Sequence, residues 1–291
     1  MNPKLARLAK RTLVGGSLVV VVGLVLDAAW ESEDGFVVWA IGALLAAGCV
    51  FEVTRMRRIL PRSLVPAFVL GLLLSLVPGV LHYFGGGIAD PEEWGMRSWL
   101  SGRGVVLAYL AGAVGATLGA LLFARRLAVP ARVLELSALV FAPLPALALV
   151  WQDFGPRGLL SILLLAKIGD VFGYYVGNAI GKRHPFPNVS PGKTTAGCVA
   201  SLVAGTVAGG ACAWFGLLPV EGRDLLPGFV AGALVNVAAQ AGDLLESRWK
   251  RAAGIKDSGP WFGPSGGFLD LVDSLVLGVP VALLSWPWLL G

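Results

Sequence analysis

The chain has 291 residues, 56% of them hydrophobic and only 14% charged, with a net charge of +5. A soluble domain carries roughly a quarter charged residues, so this composition excludes an ordinary soluble globular domain and points to a lipid environment. His82 and His184 are the only histidines, and Cys49, Cys198 and Cys212 lie scattered in apolar runs; a multi-histidine metal site is excluded, and the cysteines read as small buried hydrophobes.

Apolar runs long enough to cross a bilayer recur from end to end. Nine spans are expected, at about 12–30, 36–54, 64–84, 104–124, 132–151, 158–180, 195–218, 226–246 and 268–290. The first follows Lys4, Arg7, Lys10 and Arg11 like a signal peptide, but it is long and lacks a clear small-residue cleavage site, so it reads as a retained helix. With the N-terminus in the cytoplasm, 18 of the 23 basic residues fall in inner loops and only Arg97, Arg103, Arg157 and Arg223 in outer ones. Cytoplasmic loops carry such an excess of lysine and arginine. Short basic clusters between apolar runs are a topology signal, and no nucleic-acid partner is expected. The expected fold is all-α, a polytopic membrane protein with about nine transmembrane helices. Glycine-rich stretches such as Gly112 to Ala120 let helix backbones approach closely and permit a homodimer.

Three polar groups interrupt this pattern, all in the C-terminal half and near expected cytoplasmic ends. In "KIGDVFGYYVGNAIGKRH", Asp170, Gly173, Gly177 and Gly181 share one helix face. A carboxylate there must face protein, water or an ion; it either pairs with Lys167 at the membrane edge or lines a ligand site. "NVSPGKTTAG" contains GKT, but Pro187 stands where a P-loop needs its first glycine, so that motif fails. Ser190, Lys193 and Thr194 still suit phosphate, or equally a helix cap beside an inner-face lysine. The third group runs from Ala241 to Ser274. Asp243 and Glu246 are three apart on one helix, Lys250 and Arg251 follow a turn later, then Lys256, Asp257, a glycine-rich turn, and Asp270 and Asp273. Carboxylate oxygens without histidine or paired cysteine favour Mg²⁺ or a similar hard cation. Basic groups beside them favour a polyphosphate, the combination that phosphoryl or nucleotidyl transfer requires.

At these residues the chain resembles the phosphatidate cytidylyltransferase (CDP-diacylglycerol synthase) family. Ser247, Lys250, Arg251, Lys256, Asp257, Gly259, Gly266, Gly267, Asp270 and Asp273 fall in register with its C-terminal signature, after Gly242, Asp243 and Glu246. Ser190, Pro191, Lys193, Thr194 and Gly197 match a second motif, and Asp170, Gly173, Tyr174, Gly177, Gly181 and Lys182 a third. The first half matches only as generic spans. The resemblance implies that residues 1–155 supply N-terminal transmembrane helices and 156–291 the catalytic region. It implies transfer of CMP from CTP to phosphatidate at the cytoplasmic face of the cell membrane, with Mg²⁺ and room for a second cation. Asp243, Asp270, Lys256 and Asp257 are then catalytic, and Asp243, Asp270 and Asp273 bind metal. Asp170, Ser190, Lys193, Thr194, Lys250, Arg251, Gly266 and Gly267 bind substrate. Ser265 replaces a family histidine and Leu271 a family arginine, and the family proline shifts to Pro264. These changes leave open an isoprenoid ether-lipid phosphate as substrate, reduced activity, or a scaffold that only binds nucleotide or lipid.

Overall fold

The computed structural model describes residues 35–56, 147–220 and 224–290, with a few isolated positions elsewhere. The spans expected at 12–30, 64–84 and 104–124, and most of 132–151, lie outside the described residues. Within them the chain is helical: α1 (Phe36–Arg55), α2 (Leu147–Ile180), α3 (Thr195–Trp214), α4 (Leu226–Ala253), a short α5 (Phe268–Val272) and α6 (Leu275–Leu289). Among the described residues, five stretches are long and apolar enough to cross a membrane, α5 and α6 counting together. The chain is therefore a multi-pass membrane protein.

Two expected boundaries move for local reasons. The run at 158–180 begins earlier, because α2 continues back through a kink where Gly155 has φ +66° and Pro156 follows. Proline removes a helix N–H, and a left-handed residue redirects the axis. The last span is broken between α5 and α6, so Asp270 and Asp273 lie on or beside a separate short turn of helix.

α3 shows how these helices pack. Gly197, Ser201, Gly205 and Gly209 recur every fourth residue and are buried, whereas Val199, Val203 and Val207 are 56–58% exposed. Small residues inward and branched apolar residues outward are the pattern of a helix facing lipid on one side. Contact along the small face is close. A Cβ on Gly209 would lie 2.7 Å from Gly232 Cα of α4, and one on Gly173 of α2 would lie 3.1 Å from the Gly197 carbonyl oxygen. Between these backbones, Asn236 Oδ1 accepts hydrogen bonds from Ser201 Oγ (3.2 Å) and Gln240 Nε2 (2.8 Å). α6 closes the core with fully buried Trp286, whose ring meets Phe154 edge-on at 5.3 Å.

Candidate active site

Helix α4 supplies the centre. Asp243 and Glu246 project from one face of it, and Asp273 approaches just after α5. One carboxylate oxygen from each lies within 4.8 Å of the other two. Gly242 makes the approach possible, since a Cβ there would strike the Asp273 carbonyl oxygen.

Each of these acids has its own lysine. Lys193 Nζ lies 2.7 Å from Asp243 Oδ2, Lys250 Nζ 2.7 Å from Glu246 Oε2, and Lys167 Nζ 3.2 Å from Asp273 Oδ1. Lys167 also sits 3.9 Å from Asp170 Oδ2, and Lys250 pairs with Asp270 as well. Five carboxylates therefore face three ammonium groups, an excess of two formal negative charges among the described residues. Glu246 is fully buried, and its Oε1 has no hydrogen-bond partner among the described residues. Close carboxylate oxygens, uncompensated charge and a buried orphan oxygen fit a hard divalent cation.

The segment after α4 forms the rim. Gly254, at φ +76°, ends α4 in a left-handed cap: its N–H donates to the Arg251 carbonyl (3.0 Å) and the Ile255 N–H to that of Lys250 (2.9 Å). The loop then turns back so that Asp270 Oδ2 accepts hydrogen bonds from the Ser258 N–H (2.7 Å) and hydroxyl (2.7 Å) and from the Gly267 N–H (2.8 Å). Gly266 and Gly267 lie where any side chain would meet a carboxylate, that of Asp270 for the first and Glu52 for the second. Gly266 also has φ +82°, a conformation that favours glycine. Sequence reasoning expected these glycines to admit a ligand; in this fold they admit the protein's own acids.

The expected site residues are distributed as follows. Of the three aspartates assigned to metal, Asp243 and Asp273 come together with Glu246 as the third member. Asp270 stands beside them, taken up by Lys250, Ser258 and Gly267. Asp170 joins through Lys167, and Lys193 and Lys250 reach the acids directly. Thr194 is buried and caps α3, its Oγ1 accepting the Gly197 N–H at 3.1 Å. Ser190, in the preceding turn, accepts the Lys193 N–H through its carbonyl (3.1 Å), which fixes the bend from which Lys193 extends. Arg251 is exposed, with Nη1 donating to the Ile255 carbonyl (3.1 Å). Lys256 and Asp257 are exposed on the loop, and Asp257 lines a cavity with Arg55 of α1 and Met56 just after it. Ser265 belongs to the short 3₁₀ turn Gly263–Ser265, and Leu271 packs against the core.

Four participants escaped the sequence-level site. Glu246 carried a signal, its spacing from Asp243. Lys167 carried one too, its place three residues before Asp170 within an apolar run, which reads only as a pair at the membrane edge. Glu52 is the only acid in "FVVWAIGALLAAGCVFEVTR", a lone carboxylate in an apolar run and so a signal of its own. Ser258 carried none, because a serine in a polar loop is unremarked until its partners are known.

The helices and this site define a polytopic membrane protein with a carboxylate–lysine centre where four helices meet. The chain belongs to the cytidylyltransferase family, which it matches over residues 9–286. It is 37% identical over 141 residues to a phosphatidate cytidylyltransferase of Aquifex aeolicus, covering 47% of this chain and 51% of the relative. A Haemophilus influenzae protein of the same name is 37% identical over 123 residues, covering 42% and 43%. A third, from Helicobacter pylori strain J99, is 29% identical over 281 residues, covering 96% and 91%. The chain thus spans about half the length of the first two relatives and nine-tenths of the third.

Proposed function

We propose that this chain transfers CMP from CTP to a lipid phosphate, phosphatidate, yielding CDP-diacylglycerol and pyrophosphate at the cytoplasmic face of a bacterial inner membrane. Family membership and the names of the relatives support the reaction class. The observation that carries the reading is the cluster of Asp243, Glu246 and Asp273, each acid matched by a lysine from a different segment.

In this reaction an oxygen of the lipid phosphate attacks the α-phosphorus of CTP, and the bond from that phosphorus to the oxygen bridging to the β-phosphate breaks. The electron pair leaves with pyrophosphate. All reacting groups are anionic, so the protein's task is to gather negative charge in a low-dielectric setting and hold it in line. Lys193, on a turn braced by the α3 cap, and Lys167, whose side chain is 41% exposed, can exchange a carboxylate for a phosphate oxygen without leaving the site. Lys250 is more deeply placed and fixed by two acids; it holds Glu246 and Asp270 in position. Asp243, Glu246 and Asp273 would hold a divalent cation, Mg²⁺ by their chemistry, and when bound such an ion neutralises charge on the phosphates. The lipid reaches this centre sideways between helices, its acyl chains remaining in the bilayer.

The test is an assay of purified protein with Mg²⁺, labelled CTP and a panel of lipid phosphates. Labelled CDP-diacylglycerol is expected from phosphatidate, with loss of turnover of about 100-fold or more in Asp243→Asn and on chelation of the metal. Labelled product from a different lipid phosphate in preference to phosphatidate would overturn the substrate assignment, and no product from any would overturn the reaction.

A further inference from the structure

Glu52 lies at the far end of the sequence from the catalytic motifs, on α1, and is 1% exposed. Every oxygen it has is committed to the signature loop. Oε1 accepts the Phe268 N–H at 2.9 Å, and Oε2 accepts the Leu269 N–H at 2.9 Å and meets Ser258 Oγ at 2.7 Å. The two amides are the first N–H groups of α5, which have no partner within the helix, so Glu52 serves as a cap supplied from another part of the chain.

Ser258 extends this contact to the site. Its Oγ is 2.7 Å from Glu52 Oε2 and 2.7 Å from Asp270 Oδ2. One hydroxyl carries one hydrogen, so the two carboxylates share a single donor, and the position of either bears on the other. Asp270 in turn orients Lys250, which reaches buried Glu246 of the acidic cluster. Gly267 has no side chain where Glu52 passes. The result is a continuous set of contacts from α1 through Ser258 and Asp270 to Lys250.

We infer that Glu52 is a positioning residue for the transfer reaction: acting through Ser258, it fixes Asp270 and the start of α5 so that Lys250 and the acidic cluster keep their geometry. This rests on the reading under Proposed function for its catalytic consequence, but its structural half stands apart from it. Glu52 touches no substrate in this account. It makes the N-terminal half of the chain, which offers no catalytic motif of its own, a working part of the site.

Glu52→Gln keeps the shape but gives the amide nitrogen of the new side chain to one of the two backbone N–H groups, which it cannot accept. A buried hydrogen bond lost in this way changes rates by about 5- to 100-fold. In the assay above kcat is expected to fall by about tenfold or more while KM for CTP stays within about threefold, since no CTP contact is touched. Amide hydrogen exchange gives the second readout and needs no activity. Faster exchange is expected at Ser258 and Gly267, whose N–H groups are bound by Asp270 and not by Glu52, as well as at Phe268 and Leu269. Ser258→Ala tests the link from its other end. In that background Glu52→Gln should cost clearly less in kcat than in the wild type, the mark of two residues acting in series. Faster exchange confined to Phe268 and Leu269, an unchanged kcat, or costs that simply multiply would each overturn the inference. An inactive wild type whose Ser258 and Gly267 amides nonetheless respond would fault the proposed reaction and leave the positioning role standing.

Discussion

Lys250 stands between Glu246 and Asp270, and its fit there follows from the low dielectric around it. Glu246 is wholly buried and Lys250 nearly so. Removing one partner of a buried pair leaves the other charge without compensation, which typically costs about 3–5 kcal/mol. Lys250→Met is therefore expected to lower stability in detergent by an amount in that range, read as a lower denaturation midpoint, with activity lost as well. A midpoint equal to wild type would mean that Lys250 does not hold these acids together. Lys193 is the contrasting case: one acid, one loop, partial exposure, and correspondingly little stability at stake. At this scale the sequence was informative about residue types and less so about partners. Asp243, Asp273, Lys193 and Lys250 were legible from spacing and resemblance. That Asp270 would be taken by a lysine and a serine, with Glu246 moving into the acidic cluster, depends on the turn at 254–267, which no spacing rule encodes.

Among the elements, the short α5 and the turn before it do the most with the fewest residues. The last apolar run reads as one helix on hydrophobicity alone, yet the chain sets α5 apart from α6 so that its first amides meet Glu52 and its first-turn acid meets the loop. Gly266 is the position where this arrangement is most constrained, by a left-handed backbone and by the Asp270 carboxylate beside it. Gly266→Ala should destabilise the protein by about 1–3 kcal/mol, the usual cost of a side chain at strained backbone. It should reduce turnover more than Gly263→Ala, whose Cβ would meet open space although its φ is also positive. Equal effects of the two substitutions, measured by pyrophosphate release, would show that the Asp270 contact is immaterial. Elements marked by a long apolar run were the easiest to read from sequence: α1, α3 and α4 begin within a residue of their expected starts. The kink at Gly155 and Pro156 and the break before α6 were not, because hydrophobicity along a run does not record where its axis turns.

At the scale of the whole molecule, the paired acids and lysines of the described residues gather at one site among otherwise apolar helices. The proposed topology, oriented by the lysine and arginine bias of the loops, puts this site on the cytoplasmic side. Single cysteines placed at His184 and at Lys256 should then react with a membrane-impermeant maleimide in inverted vesicles and not in intact cells. Labelling of both from the cell exterior would reverse the orientation and separate the site from the cytoplasmic nucleotide pool. Family membership had been legible in three motifs between Asp170 and Asp273. The contribution of the first half was not, since Glu52 acts across more than two hundred residues of sequence and its partners are backbone amides, which carry no residue identity.

Whether this carboxylate–lysine centre transfers the nucleotidyl group itself is decided by the position of the label. Purified protein in Mg²⁺ and phosphatidate is given CTP labelled at the α-phosphate or, separately, at the γ-phosphate. The α label is expected to enter the lipid while the γ label appears in pyrophosphate in equal amount. Label from the γ-phosphate in the lipid, or γ label released as inorganic phosphate with none from the α position transferred, would contradict it.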